Sequence, residues 1–510
     1  MEKIQINGKT LTIEDVAFVA RKDRQVEVSL DVLPAMKRSR DLVEKVTAEN
    51  RVVYGITTGF GKFSDVSITT EDSKQLQKNL IMSHACGVGQ PFAEEIVRAM
   101  MLLRLNALSV GNSGISQETF FTLVDMLNKG VIPIVPEQGS LGASGDLVPL
   151  AHMALVMIGQ GEAVYKGVKM SGAEAMKKAG INPCTLTSKE GLALINGTQA
   201  MNAISSLAIK DAINLSKSAD IIAALTMEGL ECVIDAFDER IHKVRKQKGQ
   251  IECANNIRKI LSGSKCITRQ GEKRVQDAYS IRCIPQIHGI TKDSLEFVKG
   301  IIANEINAAT DNPLIFAETE ESFSSGNFHG QYLSMAMDFL AIAVAELADV
   351  SERRTERMVN PALSNGLPAF LVHNGGLNSG FMIPQYVAAA IVSENKVLAH
   401  PAVVDSIPTS ANQEDHVSMG MTAARKARTI VTNTTRVLGI ELFCACQAIE
   451  LRKNIDSLSR TTRAVFNEVR KAIPYVKKDE IMNGHIEMAT TLVESGKLID
   501  IAEKLSGNLA

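Results

Sequence analysis

Residues 422–453 read Thr-Ala-Ala-Arg-Lys-Ala-Arg-Thr-Ile-Val-Thr-Asn-Thr-Thr-Arg-Val-Leu-Gly-Ile-Glu-Leu-Phe-Cys-Ala-Cys-Gln-Ala-Ile-Glu-Leu-Arg-Lys. The stretch lacks proline, is rich in apolar residues and spaces its polar residues at helical intervals. Residues 200–230 and 331–358 have the same character. No proline occurs between Pro183 and Pro285, or between Pro408 and Pro474. Each segment exceeds the usual helix length, which predicts a bundle of long helices. Their charge is clustered and their apolar content high, so some faces are expected to bury against other subunits.

Toward the N-terminus the pattern changes. Lys3-Ile-Gln-Ile6, Asn7-Gly8 and Lys9-Thr-Leu-Thr12 read as a hairpin, with helix from Ile13. Val131-Ile-Pro-Ile-Val-Pro136 carries two prolines and makes a poor central strand. The predicted fold class is therefore mainly α. A smaller mixed α/β region spans 1–200 and a long-helix bundle region spans 201–510, with no short internal repeat.

The 510 residues carry 55 basic and 57 acidic side chains, a net charge of −2. That balance gives no reason to expect nucleic acid or an anionic membrane as partner. No apolar run is long enough for a membrane span, and Met-Glu-Lys-Ile-Gln at the start has no apolar signal core. Eight cysteines without a Cys-x-x-Cys pair suit a reducing cytoplasm.

Residues 139–149, Gly-Ser-Leu-Gly-Ala-Ser-Gly-Asp-Leu-Val-Pro, hold unusual chemistry in Ala143-Ser144-Gly145. Without a Cβ, Gly145 can bring its amide nitrogen close to the Ala143 carbonyl. Attack closes a five-membered ring. Loss of water from the ring and of the Ser144 hydroxyl leaves a conjugated methylene, an electrophile that no standard side chain offers. The loop lacks the Lys-Ser/Thr of a phosphate loop, and Asp146 stands where a nucleophile elbow needs glycine. Asp146 suits a helix start, with Pro149 in the first turn. The electrophile then lies near a helix N-terminus, which favours developing negative charge.

Seven further motifs follow in order: Tyr54-Gly-Ile-Thr-Thr-Gly-Phe-Gly61, Ser83-His84, Asn196-Gly-Thr-Gln199, Gln276-Asp-Ala-Tyr-Ser-Ile-Arg282, Asp311-Asn-Pro-Leu314, Gly326-Asn-Phe-His329 and Asn412-Gln-Glu-Asp-His416. Together with the 139–149 loop they resemble the aromatic amino acid ammonia-lyases, and most closely the members that act on histidine. The resemblance implies an ammonia-lyase-like fold. It also implies a 4-methylidene-imidazol-5-one (MIO) formed autocatalytically from Ala143, Ser144 and Gly145, with no external cofactor. The implied reaction converts L-histidine to trans-urocanate and ammonia, in a homotetramer whose sites combine residues of three subunits.

The resemblance distributes the roles. Tyr54 abstracts the proton and Tyr279 is the second tyrosine near the MIO, or the two exchange roles. Arg282 grips the substrate carboxylate and Gln276 is a neighbouring polar contact. Asn196 bonds the MIO or the substrate amine, and Phe328 flanks the MIO. Ser83-His84 occupies the selectivity position that follows Asn79-Leu80, so His84 faces the substrate imidazole. Glu414 holds the ring N–H or serves as a base. Asn412–His416 lacks the spacing of a metal site, and no metal is expected. By helical spacing Tyr279 and Arg282 share one face, although Pro285 makes a loop equally compatible. Thr57-Thr58, Ile284, His288 and Gly330-Gln331 depart from the histidine-specific pattern. They keep a tyrosine ammonia-lyase or a 2,3-aminomutase open, and a non-catalytic helical scaffold is the reading from another class.

Overall fold

The computed structural model describes residues 3–63 and 66–510. Helices dominate it. The three long segments form the helices Gln199–Gly229, Gln331–Val359 and Gly420–Arg452, within two residues of the expected bounds. A fourth, Ile284–Ile306, begins one residue before Pro285. Its ring therefore sits in the first turn, where no N–H is needed. In the Gly420–Arg452 helix, Leu438, Phe443, Cys444 and Cys446 are all fully buried. That helix is enclosed on more than one face, which explains why its apolar pattern is too dense for a surface helix.

The strands are short. Val131–Pro133 is an edge strand, paired antiparallel to Glu162–Tyr165, which pairs in turn with Val168–Ser171. An edge is where a strand containing proline is tolerated.

The expected N-terminal hairpin does not form. Ile4–Ile6 pairs in parallel with Val26–Val28 instead. The Asn7 side chain accepts from the backbone of Lys9 and Thr10, at 2.9 and 3.0 Å, and turns the chain locally. Thr12 then caps the Ile13–Arg21 helix in a reciprocal capping box with Asp15. The two side-chain caps take up the residues that a second strand would need.

Contacts divide the chain into two compact units, and neither is continuous in sequence. The first comprises 1–210, 299–338 and 401–425; the second comprises 211–298, 339–400 and 426–510. The first division, after 210, is followed by four more. The divisions after 210, 298, 338 and 425 all fall inside long helices, so composition along the chain cannot mark them.

The second unit is organised around buried charge. Arg354 binds Glu441 through two hydrogen bonds of 2.6 and 2.8 Å, and Thr226 donates to the same carboxylate at 2.8 Å. Asp220 accepts from His288, Asn256 and Lys292 at 2.7, 2.8 and 3.1 Å. Asp220, Cys253 and His288 lie close enough to hold a metal ion. The Lys292 ammonium already neutralises that carboxylate and Arg354 lies 3.3 Å from His288, so the cluster reads as an internal ion-pair network.

Candidate active site

The Ala143-Ser144-Gly145 loop is seated from two sides. On one side, Ala143 packs with Val417 and Met419, Met419 N–H donates to Leu141 O at 2.9 Å, and Ser418 Oγ donates to Gly142 O at 3.0 Å. On the other, Gly145 pairs with Gly197, and Asp146 N–H donates to Gly197 O at 2.7 Å. Gly145 has φ +73°, and a Cβ there would stand 2.3 Å from the Gly197 oxygen. Only glycine fits. Gly197 is constrained by space, since a Cβ would lie 2.5 Å from the Thr310 carbonyl oxygen.

Arg104 is fully buried beneath this junction. It donates to the carbonyls of Asn196 and Thr310 at 3.0 and 3.2 Å, to Gln199 Oε1 at 2.7 Å, and to the Ala193 carbonyl. Burial pushes the guanidinium down to about 10, partly offset by nearby Asp311, which pairs with buried Lys189 at 2.9 Å. Asp311 and Gln199 thus serve the backbone under the loop. Their motifs mark them in the sequence, whereas Arg104, inside an apolar helix, gives no signal.

The Leu147–Met157 helix starts after Asp146, as expected, with Pro149 in its first turn. The Asp146 side chain does not cap it. Its carboxylate is fully buried and accepts from Met201 N–H and Ser140 Oγ at 2.7 and 2.9 Å. Burial raises it to about 7, against the effect of these donors.

Ser144 faces a cavity of about 820 Å³. Tyr54, His84, Ser144, Asn196 and Glu414 line it together, and Phe60, Leu80 and Leu192 contribute apolar wall. Ser144 Oγ donates to Glu414 Oε1 at 2.8 Å, and Asn196 Nδ2 lies 3.4 Å from Ser144 O. Asn196 closes the Glu190–Ile195 helix as its C-cap, and its buried Oδ1 has no hydrogen-bond partner. An unpartnered buried acceptor on a residue that lines a cavity suits an amine donor.

Tyr54 sits on a loop anchored by Ile56, which is buried with Leu42, Val43, Val46 and Ile315. Thr57 Oγ1 donates to Arg51 O at 2.5 Å and accepts from Val53 N–H at 3.0 Å, while Thr58 Oγ1 accepts from Gly55 N–H at 3.2 Å. The two threonines brace the loop. Burial first, and then the Glu414 charge, raise the Tyr54 phenol above its ordinary value, opposed by the Gly61 N–H 3.4 Å from its oxygen. His84 ends the Thr70–His84 helix, with Ser83 Oγ 3.0 Å from its Nδ1. Burial lowers its pKa despite Glu414, so the ring is neutral near pH 7 and can both donate and accept.

The other expected site residues do not line this cavity. Gln276, Tyr279 and Arg282 belong to the second unit. Tyr279–Arg282 forms a single helical turn, with the Arg282 guanidinium 4.6 Å from the Tyr279 ring centroid. Tyr279 is 69% exposed, and the buried Nε of Arg282 has no partner. Phe328 lies in a turn just before the Gln331–Val359 helix and is half-buried.

The family profile described as aromatic amino acid lyase matches residues 11–471. A histidine ammonia-lyase of Alkaliphilus oremlandii is 57% identical over 504 residues, covering 99% of both chains. The crystal structure of histidine ammonia-lyase from Trypanosoma cruzi superimposes with a TM-score of 0.92 at 41% identity, covering 99% of this chain and 96% of the other. Tyrosine aminomutase from Streptomyces globisporus reaches a TM-score of 0.96 at 35% identity, covering 100% of both.

Proposed function

This chain belongs to the aromatic amino acid lyase family, and we propose that it releases ammonia from L-histidine to give trans-urocanate. The observation that carries the substrate reading is the meeting of His84, Ser144 and Glu414 on one cavity wall. We propose that Ala143, Ser144 and Gly145 would cyclise to the MIO, which would supply the electrophile that activates the substrate amine. The glycine-only geometry at Gly145 supports that closure. His84 and Glu414 hold the substrate imidazole, and the unpartnered Asn196 Oδ1 takes the amine. Tyr54 removes the β-proton. Because its phenol is held above the ordinary value, the phenolate fraction, and with it turnover, rises as pH goes from neutral to alkaline.

Arg282 gripping the carboxylate, with Gln276, Tyr279 and Phe328 beside it, completes the site when a second and third copy supply them. Exposed Tyr279 and the unpartnered Arg282 Nε support this. So does an exposed apolar stripe, Tyr332, Met335, Phe339 and Ile342, at helical spacing along Gln331–Val359. A homotetramer is the assembly we propose. A reducing cytoplasm is the proposed location, supported by eight unpaired cysteines; no helix among the described residues is long and apolar enough to cross a membrane.

The test is incubation with L-histidine while following urocanate absorbance, with intact mass of the same sample. Urocanate formation and a mass lower by two waters are expected. A β-amino acid or a phenolic acrylate from tyrosine, with no product from histidine, would replace the substrate reading and leave the electrophile intact. An unchanged mass would remove the electrophile.

A further inference from the structure

Glu414 is held at both ends of its carboxylate. Ser144 Oγ donates to Oε1 at 2.8 Å and Thr409 Oγ1 donates to Oε2 at 2.7 Å. The two donors have different fates under the proposed function, on which this inference rests. Ring closure joins Gly145 N to the Ala143 carbonyl carbon, and that oxygen leaves as water with the Gly145 and Ser144 amide hydrogens, leaving a double bond from that carbon to Ser144 N. Dehydration then breaks the Ser144 Cβ–Oγ bond, and the oxygen leaves as a second water with the Cα proton accounting for its extra hydrogen. The mature site therefore has no Ser144 hydroxyl, and Oε1 is released to the cavity. Thr409 remains.

The backbone keeps Thr409 in place. Thr409 N–H donates to Glu414 O at 3.0 Å and Glu414 N–H to Thr409 O at 3.3 Å, an isolated antiparallel bridge. Between them Ser410, Ala411 and Asn412 have φ of +51°, +52° and +68°. Three consecutive non-glycine residues in the left-handed region persist only where their surroundings over-determine them. The loop packs against the Tyr54 segment, since a Cβ on Gly61 would lie 2.6 Å from Ser410 Oγ. The strained turn thus serves to bring one hydroxyl back onto one carboxylate oxygen.

We propose that Thr409 is the positioning residue for Glu414 in the mature enzyme, fixing Oε2 so that Oε1 alone is presented to the substrate. Thr409 then acts on turnover only through Glu414.

The experiment compares Thr409→Ala, Thr409→Ser and Thr409→Val, alone and with Glu414→Gln, in the full chain, assayed on L-histidine. Serine and alanine lose the same methyl and differ only by the hydroxyl. Intact mass is expected to show two waters lost throughout, which separates maturation from turnover. Thr409→Ala and Thr409→Val should lower kcat about tenfold or more with KM changed about twofold or less, and Thr409→Ser should restore most of it. In the Glu414→Gln background the loss from Thr409→Ala should largely disappear. Equal kcat for the serine and alanine variants would overturn the inference, as would an undiminished loss in the Glu414→Gln background. A Glu414→Gln protein with wild-type kcat would instead overturn the role of Glu414 itself, a distinguishable result.

Discussion

His84 and Asp146 illustrate what burial does to single ionisable groups. His84 is neutral because desolvation outweighs the Glu414 charge. Replacing it by leucine leaves the polar edge of the substrate ring against an apolar wall. An unpaired buried partner costs about 1–3 kcal/mol, so kcat/KM for histidine should fall roughly ten- to a hundredfold. Steady-state kinetics on histidine, tyrosine and phenylalanine would check this, and unchanged histidine turnover would remove His84 from substrate choice. Asp146 is held at about 7 in the fold against an ordinary 3.8. The folded chain thus binds a proton that the unfolded chain releases. Between those pH values stability falls as pH rises, by on the order of 4 kcal/mol; below them both states are protonated and stability no longer changes with pH through this group. Asp146→Asn should flatten this part of a denaturation-midpoint profile measured against pH, and an unaltered slope would show that another group carries it.

Among elements, the Ala143-Ser144-Gly145 loop is held by packing more than by its own turn preference. The helix after it begins where Asp146 and Pro149 suggest, but the cap is unused because the carboxylate is engaged by Met201 and Ser140. Gly145→Ala should place a methyl against the Gly197 oxygen, 2.3 Å away. That neighbour cannot yield easily, because it is backbone. Such a variant should keep the mass of the uncyclised chain, lose turnover and melt lower by an amount consistent with about 1–2 kcal/mol or more for alanine at positive φ. Full maturation in Gly145→Ala would mean the loop closes by another geometry. The N-terminal segment carries the complementary lesson. Asn-Gly between alternating residues is a sound hairpin signal, yet two side-chain caps and the Val26–Val28 strand outcompete it.

At the scale of the molecule, the chain supplies one cavity with Tyr54, His84, Ser144, Asn196 and Glu414, and leaves Tyr279 exposed. If sites are shared between copies, Tyr54→Phe and Tyr279→Phe proteins should each be inactive alone. Refolded together, they should regain activity, because some sites then receive both tyrosines. Mixed assemblies verified by mass that stay inactive would argue for sites built from one chain. Stability belongs to this scale too. Removing Arg354 by substitution with alanine strands the Glu441 carboxylate, and breaking a buried pair in this way costs about 3–5 kcal/mol. Denaturant titration would show the loss.

The sequence by itself determined the helical class, the three long helices and the place of the Ala143-Ser144-Gly145 triplet before a helix start. Each depends on neighbours along the chain: periodicity, absence of proline, or an aspartate and a proline placed for a helix start. The motifs also named the residues that meet in the cavity. The tertiary structure alone decided that each compact unit is discontinuous in sequence, that Asp146 is buried rather than capping, that Arg104 lies beneath the loop and that Thr409 meets Glu414. Ser144 and Glu414 are 270 positions apart, and their hydrogen bond exists only because packing brings two loops together. No local pattern encodes which distant partner a polar atom will find, since that choice is made by the burial of everything around it.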